Sequence, residues 1–191
     1  MNNPVQYGFQ DYLTPEFPSQ IIVENTELCN YACTHCPHHV FEKSSKYHGT
    51  NLELDLHKKL IDEIARDGIG FCRYIRYAAL GETLLHPDFV KMIEYAGKYS
   101  GVPINITTNG SLLNEEKAYD LLNAGVKTFD ISLDAYSDEV YYQIRKKYDF
   151  LKVRDNCLKL IKIIKNDKYD SKVIVSFVEQ PLNKKEKNIF K

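Results

Sequence analysis

The sequence predicts an α/β fold built from parallel strands that alternate with helices. Two observations carry this. Five short apolar, β-branched runs recur along the chain, and residues at helical spacing separate each run from the next. Strict alternation of that kind requires parallel crossovers, and therefore an α/β barrel or an open sheet. A third observation concerns function: polar signatures follow the first four runs one after another, at the strand ends where parallel α/β folds keep their working residues.

The elements follow in order. Residues 1–19 are polar, hold Pro4, Pro15 and Pro18, and read as an N-terminal arm before a core domain over residues 20–191. Gln20 to Asn25 is a buried strand, followed by a cysteine-bearing loop. Leu54 to Ala65 places Leu56, Leu60, Ile61 and Ile64 at helical spacing. Phe71 to Leu80 is the second strand, and Asp88 to Tyr99 is a helix with Pro87 as its start signal. Pro103 to Thr107 is the third strand. Glu115 to Asn123 is a helix closed by Gly125. Thr128 to Leu133 is the fourth strand, Asp138 to Lys146 and Leu151 to Lys165 are helical, and Lys172 to Val178 is the fifth strand. No linker, low-complexity segment or fixed-period repeat interrupts the series.

Composition narrows the class. A chain of 191 residues can bury roughly 70% of its extended surface without covalent staples. Hydrophobic residues at 43% and charged residues at 27% are ordinary for a soluble globular protein. The net charge of -1 argues against a nucleic-acid partner. The balance is uneven: residues 141–191 carry 14 Lys/Arg against 6 Asp/Glu, and without interleaved stacking aromatics this reads as a solvated helix face. Five cysteines, three of them clustered, suit a metal site in a reducing compartment. No signal peptide and no membrane span are visible, so the expected location is cytoplasmic.

The cluster is Cys29, Cys33 and Cys36, with spacing C-x3-C-x2-C. Three thiolates on one loop can hold three corners of a cubane iron–sulfur cluster and leave the fourth iron open to a small molecule. The same loop would also suit zinc, completed by His38 or His39, although zinc motifs more often pair two C-x2-C units. Gly81-Glu82 follows the second strand, Thr108-Asn109-Gly110 the third, and Ser132 and Asp134 end the fourth. Cys72 and Cys157 read as small buried hydrophobes. His38, His39, His48, His57 and His86 show no partner pattern and read as loop or surface residues.

These signatures together resemble the radical S-adenosylmethionine (radical SAM) superfamily over roughly residues 20–180. The cysteine spacing matches the superfamily's defining motif, with His35 at the position that is usually aromatic. Leu80-Gly81-Glu82-Thr83 resembles its Gly-Glu-Pro motif, with Thr83 where Pro is common. Thr107 to Gly110 and Ile131 to Asp134 resemble the third and fourth strand-end motifs. The phrasing is closest to the SPASM-like branch of peptide- and sugar-modifying enzymes.

The resemblance implies a partial (β/α) barrel, usually of six strands. Only five are counted here, and residues 183–191 read as the opening of a further helix, so the expectation is a core that stops before its last strand and any auxiliary-cluster domain. It further implies a [4Fe–4S] cluster held by Cys29, Cys33 and Cys36, and S-adenosyl-L-methionine held by Gly81, Glu82, Asn109, Ser132, Asp134 and Arg145. In that reading Glu82 faces the methionine ammonium, Arg145 the methionine carboxylate, and Ser132 a carboxylate or ribose hydroxyl. For Asp134 a helix cap, for Arg145 a surface charge and for Asn109 a plain turn are the alternatives. Val175 and Phe177 would pack adenine or simply the core. The implied activity is oxidoreductase-type hydrogen abstraction from a peptide, sugar or small metabolite, fed by a low-potential electron donor such as flavodoxin or ferredoxin. A cluster-binding remnant without turnover is the rival reading.

Overall fold

The computed structural model describes residues 15–190, so most of the predicted N-terminal arm lies outside the described residues. Five parallel strands lie side by side in chain order: β1 (Gln20–Val23), β2 (Tyr74–Tyr77), β3 (Ile104–Thr108), β4 (Val126–Ser132) and β5 (Lys172–Ser176). The helices between them are α1 (His38–Phe41), α2 (Leu54–Asp67), α3 (Phe89–Tyr99), α4 (Glu115–Asn123), α5 (Asp138–Arg145) and α6 (Phe150–Asn166), with a short α7 (Lys187–Phe190) last. Consecutive strands that all run parallel and pair in chain order form the wall of an α/β partial barrel, as the alternation predicts. No described helix is long and apolar enough to cross a membrane.

Local chemistry sets the helix starts. Asn114 accepts a hydrogen bond from Lys117 N and caps α4, while Ser137 accepts from Val140 N and caps α5. The cap of α5 is therefore Ser137, and the capping alternative for Asp134 fails. Gly125 turns the chain after α4 with φ +100°. A Cβ on Gly97 would stand 2.2 Å from the Ala124 carbonyl, so α3 and the end of α4 meet backbone to backbone at that point.

One sheet face is dry. Ile75, Tyr77, Ile104, Ile106, Phe129 and Ile131 are at most 1% exposed, and they share one core with the buried stripes of the helices. The register pairs Ile22 with Arg76 and Arg76 with Asn105, so the alternate residues form the opposite, polar face.

Two sequence expectations are corrected here. Leu56 is 56% exposed, because the buried stripe of α2 runs through His57, Ile61 and Ile64 instead. His38, His57 and His86 are buried rather than superficial, and each has a partner: the Glu27 carbonyl at 2.7 Å, the Tyr77 hydroxyl at 2.6 Å and the Leu52 carbonyl at 2.9 Å. His39 is half-buried and meets the Cys36 carbonyl, whereas His48 is exposed. Cys72 and Cys157 are buried as expected. Val175 packs on the helix side with Leu133, Ala135 and Phe150, away from the polar face, and Phe177 is half-buried.

Candidate cofactor site

The loops after β1, β2 and β3, the end of β4 and the last residue of α5 enclose a cleft of about 300 Å³. Cys29, Cys33, Cys36, Gly81, Glu82, Asn109, Ser132 and Arg145 all line it. Of the sequence-predicted site residues, only Asp134 stands behind the wall. The strand-end signatures converge because parallel strands bring all their C-terminal ends to one side of the sheet.

The cysteine loop is fixed from three directions. Thr34 N donates to the Ile144 carbonyl of α5 at 2.8 Å. Asn109 Nδ2 donates to Asn30 Oδ1 at 2.8 Å, and Asn30 Nδ2 donates to Ser111 Oγ at 2.9 Å. Tyr31 donates its hydroxyl to Asp149 and accepts one from Tyr141, both at 3.1 Å. All three thiols are free. Burial pushes the Cys29 thiol up to about 11 and raises Cys33 as well, with Arg145 partly opposing the rise at Cys33. Among the described residues, no three His, Cys, Asp or Glu side chains converge on one ion-sized point.

Glu82 is 4% exposed, so it is no surface turn residue. Its Oε1 accepts from the Thr108 hydroxyl at 2.5 Å and from Leu84 N at 3.3 Å, and its Oε2 accepts from Asn109 N at 2.7 Å. Burial still raises its carboxyl above the usual range, against those donors and Arg145. The carboxylate thus ties the end of β2 to the end of β3. Gly81 has a role in the scaffold too: a Cβ there would lie 1.9 Å from the Thr26 carbonyl, so the close backbone approach is to the β1 loop. Ala79, also lining the cleft, holds φ +146°, a conformation that costs a non-glycine residue about 1–3 kcal/mol and gathers at ligand clamps.

Arg145 is buried, which removes the surface-charge alternative. Its Nη2 lies 2.6 Å from Asp134 Oδ2, and its Nη1 donates to Cys33 Sγ at 3.4 Å. The close ion pair is poorly angled, which leaves Asp134 Oδ2 and Arg145 Nε without a hydrogen-bond partner among the described residues. Burial disfavours the Arg145 charge, but Asp134 and Cys33 beside it outweigh that and hold the guanidinium protonated above its ordinary range. Asp134 adopts φ +61° and takes Val178 N on Oδ1 at 2.7 Å, so it couples the end of β5 to Arg145. The Ser132 hydroxyl, half-buried in the cleft wall, is engaged by no described side chain. Sequence reasoning missed Asn30, Tyr31 and Asp149, whose partners lie 79 to 118 residues away, and it named Thr108 in a strand-end signature without its bond to Glu82.

The donor set fits an iron–sulfur cluster with S-adenosylmethionine. Three unpaired thiols face one cleft, a buried cation stands beside one of them to offset thiolate charge, and an orphaned guanidinium N–H remains on a cleft-lining residue. The family model described as the Radical SAM superfamily matches residues 23–180. GTP 3',8-cyclase of Campylobacter lari is 34% identical over 126 residues, covering 64% of this chain and 36% of that protein. An S-adenosylmethionine-dependent nucleotide dehydratase of Selenomonas ruminantium is 37% identical over 111 residues, covering 58% and 37%. The chain therefore spans little more than a third of the length of these curated relatives. Among solved structures, BtrN in complex with AdoMet and 2-DOIA superposes with a TM-score of 0.63 at 23% identity, over 85% of this chain and 58% of that one. With a family model covering most of its length and the cysteine cleft at the expected end of the sheet, the chain belongs to the radical SAM superfamily.

Proposed function

We propose that the chain is the cofactor-binding core of a radical SAM enzyme, with Cys29, Cys33 and Cys36 as thiolate ligands of a [4Fe–4S] cluster and S-adenosyl-L-methionine bound in the same cleft. The observation that carries this is the presence of three free thiols and a buried, incompletely partnered Arg145 in one 300 Å³ cleft. When bound, such a cluster supplies the single electron that cleaves a C–S bond of S-adenosylmethionine, giving a 5′-deoxyadenosyl radical for hydrogen abstraction.

The residues of the chain position and shield. Burial raises the Cys29 and Cys33 thiols, and Arg145 beside Cys33 would offset the charge of a thiolate that held the cluster. The free Nε–H of Arg145 and the Ser132 hydroxyl offer donors to the methionine carboxylate. Glu82 braces the two strand ends, and a methionine ammonium beside it would favour its ionised form against the burial that raises its carboxyl. Asn109 holds the cysteine loop through Asn30. The substrate is a peptide, sugar or small metabolite, and the electron comes from a low-potential donor such as flavodoxin or ferredoxin.

Anaerobic reconstitution with iron and sulfide tests this reading. The expected product holds about four irons per chain, absorbs broadly in the visible, bleaches on reduction and releases 5′-deoxyadenosine from S-adenosylmethionine. Cys33→Ala should lose the cluster. A colourless zinc adduct, or four irons retained in that variant, would overturn the ligand assignment.

A further inference from the structure

The polar face of the sheet continues directly from the cofactor cleft. Thr107 and Ser132 line the cleft, and the register pairs Thr107 with Asp130 and Ser132 with Ser176. One layer further from the cysteines, Arg76 pairs with Asn105, and Asn105 with Thr128. Arg76 links the layers: its Nε donates to Thr107 Oγ1 at 2.9 Å and its Nη2 to Asp130 Oδ2 at 2.7 Å. The Ser176 hydroxyl donates to the other oxygen of Asp130.

This network leaves a defined set of groups open. Arg76 Nη1, the Asn105 amide and the Thr128 hydroxyl, side by side on β2, β3 and β4, enter no hydrogen bond among the described residues, and all three residues are half-buried. The charges of Arg76 and Asp130 cancel within the network, and the charge left on this face is Lys172, exposed at the β5 edge beside Thr128. Ile22 and Ile174, 58% and 50% exposed, flank it on β1 and β5.

That pattern selects among ligands. An anion would find Arg76 already paired to Asp130 and meet only the solvated charge of Lys172 at the sheet edge. An apolar side chain would strip water from Nη1 and the Asn105 amide and return no partner. A hydroxylated ring meets both demands, because each hydroxyl donates and accepts while a C–H face can lie against Ile22, the register neighbour of Arg76. We propose that Arg76, Asn105 and Thr128 recognise an uncharged hydroxyl-bearing ring, such as a sugar, a cyclitol or the ribose of a nucleoside, and hold it below the cofactor cleft as substrate. Its role as substrate rests on the radical SAM reading above.

The test is ligand-observed saturation-transfer NMR on the full chain with glucose, myo-inositol and uridine, against glutamate, inorganic phosphate and a tetra-leucine peptide. At least one neutral ring compound should bind. Arg76→Lys, which keeps the charge and loses the fork, should weaken it by about tenfold or more, and Ser176→Ala by roughly threefold. The proposal is overturned if no neutral ring compound binds, if glutamate, phosphate or the peptide binds more tightly, or if both folded variants bind as the parent does. Iron content and 5′-deoxyadenosine release are measured on the same samples. Ring binding without release would break the cofactor reading and leave the recognition floor standing, whereas release without ring binding would do the reverse.

Discussion

The two faces of the sheet obey different rules. On the helix side, Ile75, Tyr77, Ile104, Ile106, Phe129 and Ile131 are aliphatic or aromatic and sealed, and the His57–Tyr77 pair among them is wholly dry. On the opposite face the same strands carry Arg76, Asn105, Thr107, Asp130 and Ser176, half-buried and cross-linked by hydrogen bonds. The first face supplies cohesion, and the second is kept polar at the expense of cohesion. A strand alternates its side chains between faces, so both properties are written into the same few residues.

The sharpest way to break this contrast is a pair of neighbours on β4. Phe129→Ala should cost about 4 kcal/mol of unfolding free energy, while Thr128→Ala should cost less than about 0.5 kcal/mol. Urea midpoints for the two variants decide it, and comparable losses would show that the polar face carries as much of the stability as the dry one.

The next effect is a pH dependence seated in the dry face. Burial pushes His57 down to about 4 from an ordinary 6.5. The unfolded chain then takes up a proton before the folded one does. Stability is fully present above pH 6.5 and is lost as pH falls toward 4, by at most about 3 kcal/mol. His57→Gln should flatten that slope in urea titrations at a series of pH values. An unchanged slope in the variant would place the acid sensitivity elsewhere.

The smallest effect separates Glu82 from Arg76 as two kinds of polar anchor. Glu82→Gln keeps the shape but turns one acceptor into a donor, and it should cost about 1 kcal/mol near pH 5. Burial raises the Glu82 carboxyl, so above its unfolded pKa the folded state retains a proton that the unfolded state has released. Rising pH therefore destabilises the parent relative to the variant, and the gap between them should narrow toward neutrality. A gap that widens with pH would mean that Glu82 is ionised throughout.

Much of this was legible in the sequence. The strand and helix periods are local signals, and the five strands and the helices from α2 to α6 lie where those periods put them. The meeting of Cys29, Cys33 and Cys36 at one cleft was legible because all three lie on one short loop after a strand. The pairing of Arg145 with Asp134, the bracing of Glu82 by Thr108 and the Tyr31–Asp149 bond were not, because each joins elements that only the folded sheet brings together. His57 was misread although a signal existed: with Ile61 and Ile64 it completes the stripe of α2 at i, i+4 and i+7, while Leu56 falls off it.

Asp134 links two distant parts of the chain. One carboxylate holds the Val178 amide on one oxygen and faces Arg145 with the other, while its own carbonyl accepts from Asn183 Nδ2 at 2.9 Å. The carboxylate that balances the charge of Arg145 in the cleft wall is therefore the same group that pins the chain from Val178 to Asn183, so one side chain anchors both.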